Sequence, residues 1–267
     1  MLGIERRRKI MDKLNEERKV YVSELAKLFG VTEETIRRDL EKLEGKDLLR
    51  RSYGGAVLNE HTNDDISFVK RSTILSENKQ AIAERAARLV SDGDTIMVDA
   101  STTCLALVSA LQKKKGLTII TNSVRLVHDY LQGPFHLIST GGVVRTNSCA
   151  LVGDVALATL QRYNVDLALV SCKSLDREHG IMESNDAEST IKVCMAARAK
   201  RVILLADHTK FGSTAFVHAL DFDRIDVLVT DEPVSTTWRN FLEKKQIELI
   251  DPELFNRQRI NTVEPLP

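Results

Sequence analysis

Between Ile4 and Val57 the apolar positions recur at helical spacing three times and then change to a loose alternation. Ile4, Ile10, Met11 and Leu14, with Arg6 to Lys9 between them, predict a basic amphipathic helix over 4–16. Val20-Tyr21-Val22 is a short β-prone run. Ser23 is placed to cap a helix over 24–29, and Gly30 to take the left-handed turn that ends it. Thr32 then caps a helix running to about Lys46, in which Ile36, Leu40 and Leu43 form one buried stripe. That stripe leaves Thr35, Arg37 and Arg38 facing outward. Residues 48–57 alternate around Gly54-Gly55, which predicts a small hairpin. Two helices joined by a tight glycine turn and followed by a hairpin form a winged helix-turn-helix, whose second helix lies in the DNA major groove.

Residues 58–75 are polar with little period, and read as a linker with fixed contacts at Ile66, Phe68 and Arg71. From Asn78 the pattern alternates between helix and buried strand. A helical stripe of Ala81, Ile82, Ala86 and Leu89 precedes apolar runs at 95–99, 117–121, 136–140, 165–171, 201–207 and 225–230. Helical stretches at 103–114, from 123, at 153–163, 188–200 and 236–245 fall among them, and 248–250 reads as a last short strand. Alternation of this kind predicts an α/β open parallel sheet covered by helices, with ligands taken outside the carboxyl ends of the strands. The expected organisation is a DNA-binding domain over 1–57, the linker over 58–75, and an effector and oligomerisation domain over 76–267.

Composition narrows this picture. A length of 267 residues with 43% hydrophobic and 28% charged residues fits two globular domains. No apolar run approaches the roughly 18 residues of a membrane span, and the charged start MLGIERRRK has no signal-peptide apolar region. Cys104, Cys149, Cys172 and Cys194 are scattered, so neither a zinc site nor a disulfide framework is expected, and a reducing cytoplasm is. The formal net charge is zero, but residues 1–57 carry 14 Lys and Arg against 11 Asp and Glu. This mild asymmetry permits a DNA-binding amino-terminal domain.

The candidate DNA contacts are Ser23, Thr32, Glu33, Glu34, Thr35, Arg37 and Arg38 around the reading helix, with Arg50 and Arg51 on the wing. The first turn of such a helix meets base edges, and arginines bind phosphates or guanine. Polar clusters follow the strands further on. Asp99-Ala100-Ser101-Thr102-Thr103 opens a helix whose N–H groups can cradle a phosphate. Thr121-Asn122-Ser123 repeats that arrangement. Gly141-Gly142 allows close backbone approach, with Arg145 nearby, and Asp207-His208-Thr209-Lys210 supplies a second cation. Taken together, the clusters point to a pocket for a phosphorylated small molecule.

Several motifs resemble the DeoR family of bacterial transcriptional repressors. They are R-R-x-x-I-x-x-x-L from Arg6, V-x-E-L-A-x-x-F-x-V-T-x-x-T-I-R-R-D-L-x-x-L-E from Val22, and Gly54-Gly55-Ala56. In the second half D-x-S-T-T, T-N-S, the G-G-x-x-R-x-x-S-x-x-L-V-G run to Gly153, Glu188 with Lys192, and D-x-x-K-F-G from Asp207 resemble the family's effector domain. The resemblance implies operator DNA as one partner, a phosphorylated sugar effector as another, and a second domain similar in fold to sugar-phosphate isomerases. It implies that Ser101, Thr102 and Thr103 hold the phosphate, while Asp99, Asn122, Gly141, Gly142, Arg145 and Lys210 line the sugar pocket. Glu188 and Lys192 read as a structural pair one turn apart. The chain departs from the family at Ser171-Cys172-Lys173-Ser174-Leu175, where many members have a glycine-rich turn, so that either Lys173 contacts an effector or this wall of the pocket is narrower. A homo-oligomer, dimer or tetramer, is expected, with no cofactor, no metal, no membrane and no catalysis. The alternative is an isomerase-like enzyme fused to a DNA-binding domain, for which Asp99, Asp207 and Glu188 are the available carboxylates.

Overall fold

The structure, a computed structural model, describes residues 2–17, 19–45, 49–58, 62 and 65–255, without the side chains at 15, 16 and 58. The chain forms two compact units, Met1–Asp64 and Asp65–Pro267. The expected linker is therefore divided between them. Among the described residues no helix is long and apolar enough to cross a membrane.

In the first unit, helix Gly3–Glu17 turns Arg6, Ile10 and Leu14 inward at a spacing of four, and leaves Ile4 71% exposed. Arg6 occupies an inward place because Asp39 lies opposite. That carboxylate is buried, and receives Arg6 Nε at 2.5 Å and Arg7 Nη1 at 3.0 Å. The expected basic face is thus partly spent on an internal ion pair. Helix Val22–Phe29 starts one residue before Ser23, and no side chain caps it. Val22 N–H donates instead to the Gly54 carbonyl at 2.9 Å, so the wing fixes this helix start. Gly30 closes the helix at φ 63°, as its place in the turn predicts. Thr32 caps Glu33–Glu44, accepting from Thr35 N–H at 3.3 Å. The continuation expected to Lys46 falls outside the described residues, as does Leu48 of the wing.

The wing strands Leu49–Ser52 and Gly55–Leu58 pair antiparallel, and Lys19–Tyr21 joins the outer side of the second. Ser52 pairs with Gly55, so the turn is Tyr53-Gly54, with Gly54 at φ 79°. Gly55 is a strand residue whose added Cβ would lie 2.1 Å from the Val20 carbonyl oxygen. The first glycine serves the turn and the second serves strand contact. Ile10, Leu14, Val20, Leu25, Ile36, Leu40, Leu43 and Leu49 make one core beneath.

The second unit is built on seven parallel strands. In spatial order they are Glu248–Ile250, Val227–Val229, Ala199–Leu205, Val165–Ser171, Thr95–Val98, Thr118–Thr121 and His136–Ser139. Alternate residues along each strand feed two cores. Ile96, Val98, Leu167, Leu169, Ile203 and Leu205 pack with Ile82, Ala86, Leu107 and Val108 of helices Ser76–Ala86 and Thr102–Ala110. Met97, Ala168, Val170, Val202 and Leu204 pack on the other face with Ala156, Leu160, Ile191, Met195 and Leu242. Both faces are covered, which is why these strands read as continuous apolar runs. The chain winds outward from Thr95–Val98 in one direction and from Val165–Ser171 in the other, so these two central neighbours bound the topological switch point.

Several elements escaped the sequence pattern. A three-stranded antiparallel sheet of Ser174–Asp176, Gly180–Glu183 and Val217–Leu220 begins at the departure from the family turn. A hairpin pairs Val143–Arg145 with Ala150–Val152. Helix Phe68–Thr73 lies where a linker was expected, with Phe68 buried and Ser67 as its cap. Each is three to six residues long, too short for a period to show.

Candidate functional site

The reading helix presents Glu33, Glu34, Arg37 and Arg38 with side chains about half exposed or more. Arg37 bonds Glu33 at 2.6 Å, and Arg38 lies 3.4 Å from Glu34. Such one-turn surface pairs are worth only about 0.3–0.5 kcal/mol, so DNA phosphates can displace them. Ser23, Lys27, Gly30, Thr32 and Glu33 line one shallow cleft between the two helices. Arg50 is exposed on the wing, whereas Arg51 is held by Glu44 at 2.6 Å. Ser23 remains on this surface but is no cap.

At the switch point, Asp99 is almost fully buried. Its carboxylate accepts from Ser101 N–H and Ser171 N–H, each at 2.9 Å, and pairs with Lys192. Burial opposes its ionisation, but the Lys192 charge and these donors hold its pKa below the usual range. Burial likewise disfavours the Lys192 ammonium, and Asp99 and then Glu183, 3.3 Å away, outweigh it and raise its pKa. Asp99 therefore braces two strand ends, and its oxygens are already committed rather than lining a sugar pocket.

Other expected pocket residues divide in the same way. Ser101 caps helix Thr102–Ala110 through Cys104 N–H at 3.1 Å, with Thr102 and Thr103 buried in its first turn. Thr121 is wholly enclosed, bonding the Val98 carbonyl at 2.7 Å and accepting from Ser123 N–H at 3.0 Å. Asn122 is buried too. Its amide donates to the Leu151 carbonyl at 3.2 Å, and its Oδ1 has no partner. Gly141, at φ 66°, faces open space apart from Val155 at 3.6 Å. Gly142 does not offer a ligand approach, because an added Cβ would lie 2.6 Å from the Val152 carbonyl oxygen. The space that its missing side chain frees belongs to the hairpin. Lys173 is half-buried, with its N–H on the Met182 carbonyl at 3.0 Å.

Arg145 is engaged by neighbouring side chains. Its guanidinium bonds Glu188 at 2.9 Å and Ser148 at 3.2 Å, and pairs with Asp65. Glu188 and Lys192, expected as each other's partner, diverge from one helix to Arg145 and to Asp99.

Two further cations of the second unit, Arg71 and Lys79, lie together. Lys79 is 7% exposed, and its ammonium donates to the Arg71 carbonyl and, at 2.6 Å, to the Ile74 carbonyl. Burial pushes its pKa down to about 8; Asp207 opposes the shift, while Lys210 and Arg71 reinforce it. Arg71 Nε and Nη2 are buried without a hydrogen-bond partner. Asp207 caps the turn His208–Lys210, and burial of its carboxylate is outweighed by Lys210 and Thr209, which hold its pKa low. Lys210 and Lys79 thus act on one carboxylate, and Arg71, beside Lys79, has unpaired buried donors. Buried donors of this kind are costly, and a phosphate takes a guanidinium edge with two bonds. A signal for Lys79 stood in the sequence: the buried face of its helix is Lys79, Ile82, Ala83 and Ala86, with a lysine at a core position. For Arg71 the sequence offers only a fixed contact within the expected linker, because its six-residue helix is too short for a period to show.

Among the described residues, His208, Asp231 and Glu232 bring three metal-ligand atoms within 4.8 Å of one another. The Asp231 carboxylate already accepts from His208 N–H at 2.7 Å and Asn78 at 2.6 Å, and His208 Nδ1 lies 2.7 Å from it. These hydrogen bonds account for the cluster as a structural clasp.

Residues 6–62 match the family model of the DeoR-like helix-turn-helix domain, and residues 75–232 that of the DeoR C-terminal sensor domain. The chain belongs to the DeoR family. It is a DNA-binding transcriptional regulator. An uncharacterized HTH-type transcriptional regulator, YulB of Bacillus subtilis, is 37% identical over 96% of this chain and 100% of its own. The transcriptional repressor GlcR of the same species is 34% identical over 91% of this chain and 94% of its own. A putative aga operon transcriptional repressor of Escherichia coli is 29% identical over 92% and 93%. Among solved structures, a ribose 5-phosphate isomerase from Methanocaldococcus jannaschii, 17% identical, overlaps 51% of this chain and 54% of its own at TM-score 0.39. Within this DeoR-family chain, Arg71 falls in the stretch between the two matched segments, whereas Lys79, Asp207 and Lys210 lie inside the sensor match.

Proposed function

We propose that this regulator represses a sugar-metabolism operon from the cytoplasm, and leaves its operator when a phosphorylated sugar enters the second unit. The observation that carries the reading is the group of Arg71, Lys210 and Asp207 around the buried Lys79, with the buried Arg71 nitrogens unpaired. A phosphate dianion satisfies those donors, and the first turn at Ser101 to Thr103 offers further N–H groups near the switch point. Thr32 to Arg38 read base edges, with Arg50 on phosphate. Repressors named among the relatives support this direction. Asp99 argues against catalysis, because a carboxylate locked by Lys192 and two N–H donors is a poor proton acceptor. A second copy of the chain completes the DNA-binding form, since half-sites one helical turn apart need two reading helices.

A thermal-shift screen of the purified protein tests the effector. Pentose, hexose and amino-sugar phosphates should include one that raises the melting temperature while its unphosphorylated parent does not. Arg71→Gln should abolish that rise. Equal stabilisation by the parent sugar, or turnover of the phosphate at enzyme-like rates, overturns the reading.

A further inference from the structure

Residues 65–74 enter the second unit directly from its boundary with the first, and two separate grips hold them. At the start, the Asp65 carboxylate pairs with Arg145, while Asn147 clasps the backbone. Asn147 Nδ2 donates to the Asp65 carbonyl at 2.7 Å, and the Asn147 carbonyl accepts from Phe68 N–H at 2.7 Å. At the far end, Lys79 holds the carbonyls of Arg71 and Ile74. Both grips lead back to the anion pocket by different routes. Lys79 is itself one of the pocket cations. Arg145 is held by Glu188, whose helix carries Lys192 one turn later onto Asp99 and Glu183. Arg71 belongs to the strap and also presents its unpaired nitrogens within the charge field of Glu183 and Lys79.

We propose that the strap 65–74 is the segment through which pocket occupancy reaches the DNA-binding unit, and that Arg145, with Asn147, is its latch. The inference rests on the anion-pocket reading above. A phosphate that engages Arg71 and Lys79 draws on the two side chains that set the far end of the strap. Lys79 cannot keep both carbonyls and also turn its ammonium fully to a dianion. The near end then shifts against a fixed point, because the Arg145 guanidinium is pinned by Glu188 and Ser148. Among the described residues, Asp65 reaches the pocket through this chain of contacts, so it is a positioning residue. Its replacement separates transmission from binding.

Hydrogen exchange of the full chain, followed by mass spectrometry with and without saturating inorganic phosphate, reads the strap directly. Phosphate should change the exchange rate of peptides spanning 65–74 at least fivefold, and raise the melting temperature. Asp65→Asn, which keeps the shape and removes the charge, should leave the phosphate-induced melting shift intact. It should accelerate strap exchange in the free protein and shrink the phosphate response to less than twofold. Asp65→Glu, which keeps the charge, should recover most of the response and guards against a folding artefact. A melting shift with no change in strap exchange overturns the strap and leaves the pocket standing. An unaltered strap response in Asp65→Asn overturns the latch. Absence of any melting shift with phosphate and with the sugar-phosphate panel overturns pocket and strap together.

Discussion

Replacing Asp39 by Asn leaves the Arg6 and Arg7 guanidiniums without their anion, and Arg6 is enclosed by the first unit. Removing one partner of a buried ion pair costs about 3–5 kcal/mol. Urea denaturation should show a loss of this size for Asp39→Asn, while neighbouring Arg38→Ala, at a largely exposed side chain, should unfold like the parent and fail instead in DNA binding. Two residues adjacent in one motif are thereby separated into folding and recognition. Lys79 gives a second residue-level outcome. Its pKa is near 8 in the folded protein and 10.5 ordinarily, so between those values the unfolded chain binds more protons and folding gains stability as pH rises. A phosphate dianion reverses the preference by favouring the charged ammonium, with Asp207 opposing the anion and Lys210 and Arg71 assisting it. Affinity for the phosphate dianion should therefore hold steady up to about pH 8 and then fall, by up to about tenfold per pH unit for one linked proton. Titration calorimetry in buffers of differing ionisation heat should register proton uptake. Lys79→Arg, which stays charged, should flatten the profile.

At the scale of elements, the wing offers a contrast between adjacent glycines. Gly54→Ala meets no atom but keeps an unfavourable φ of 79°, a strain of about 1–2 kcal/mol. Gly55→Ala drives a methyl group into the Val20 carbonyl, which must part strand Lys19–Tyr21 from Gly55–Leu58. That overpacking costs about 1–3 kcal/mol. It also frees the start of helix Val22–Phe29, since that start hangs on the wing. Circular dichroism melts and anisotropy titrations should show Gly55→Ala as the weaker DNA binder of the two. The same dependence explains why Ser23 is not the cap that its position suggests. A cap is a local signal, and the acceptor actually used, Gly54 O, is distant in sequence. Elements with one sustained period were legible: the Ile36, Leu40, Leu43 stripe and the strands through Met97, Ala168 and Leu204 lie where the pattern puts them. Elements of three to six residues were not, and with them went the hairpin that claims Gly142 and the helix that carries Arg71. The candidate pocket was legible as strand-end clusters. Which of their polar groups stay available was not, because Thr121 and Asp99 are consumed by contacts across the sheet that no local pattern encodes.

For the whole molecule, the two units are useful to each other only through a difference in free energy. If a phosphorylated sugar lowers operator affinity by a factor α, linkage requires that operator DNA lower the sugar's affinity by the same α. Coupling of about 1–3 kcal/mol corresponds to roughly 5–150-fold. The measurement needs an operator, which the protein can select from random duplexes, and the sugar phosphate found by thermal shift. Operator titrations with and without the sugar give one value of α, and sugar titrations of free and operator-bound protein give the other. The two should agree for the parent chain. In Arg71→Gln the sugar should no longer bind, so operator affinity should be unchanged by it. In Asp65→Asn both values should move toward one together, with the free protein's sugar affinity retained. A sugar that binds the free chain tightly yet leaves α at one would mean that the pocket and the reading helix do not communicate, whatever their separate chemistry.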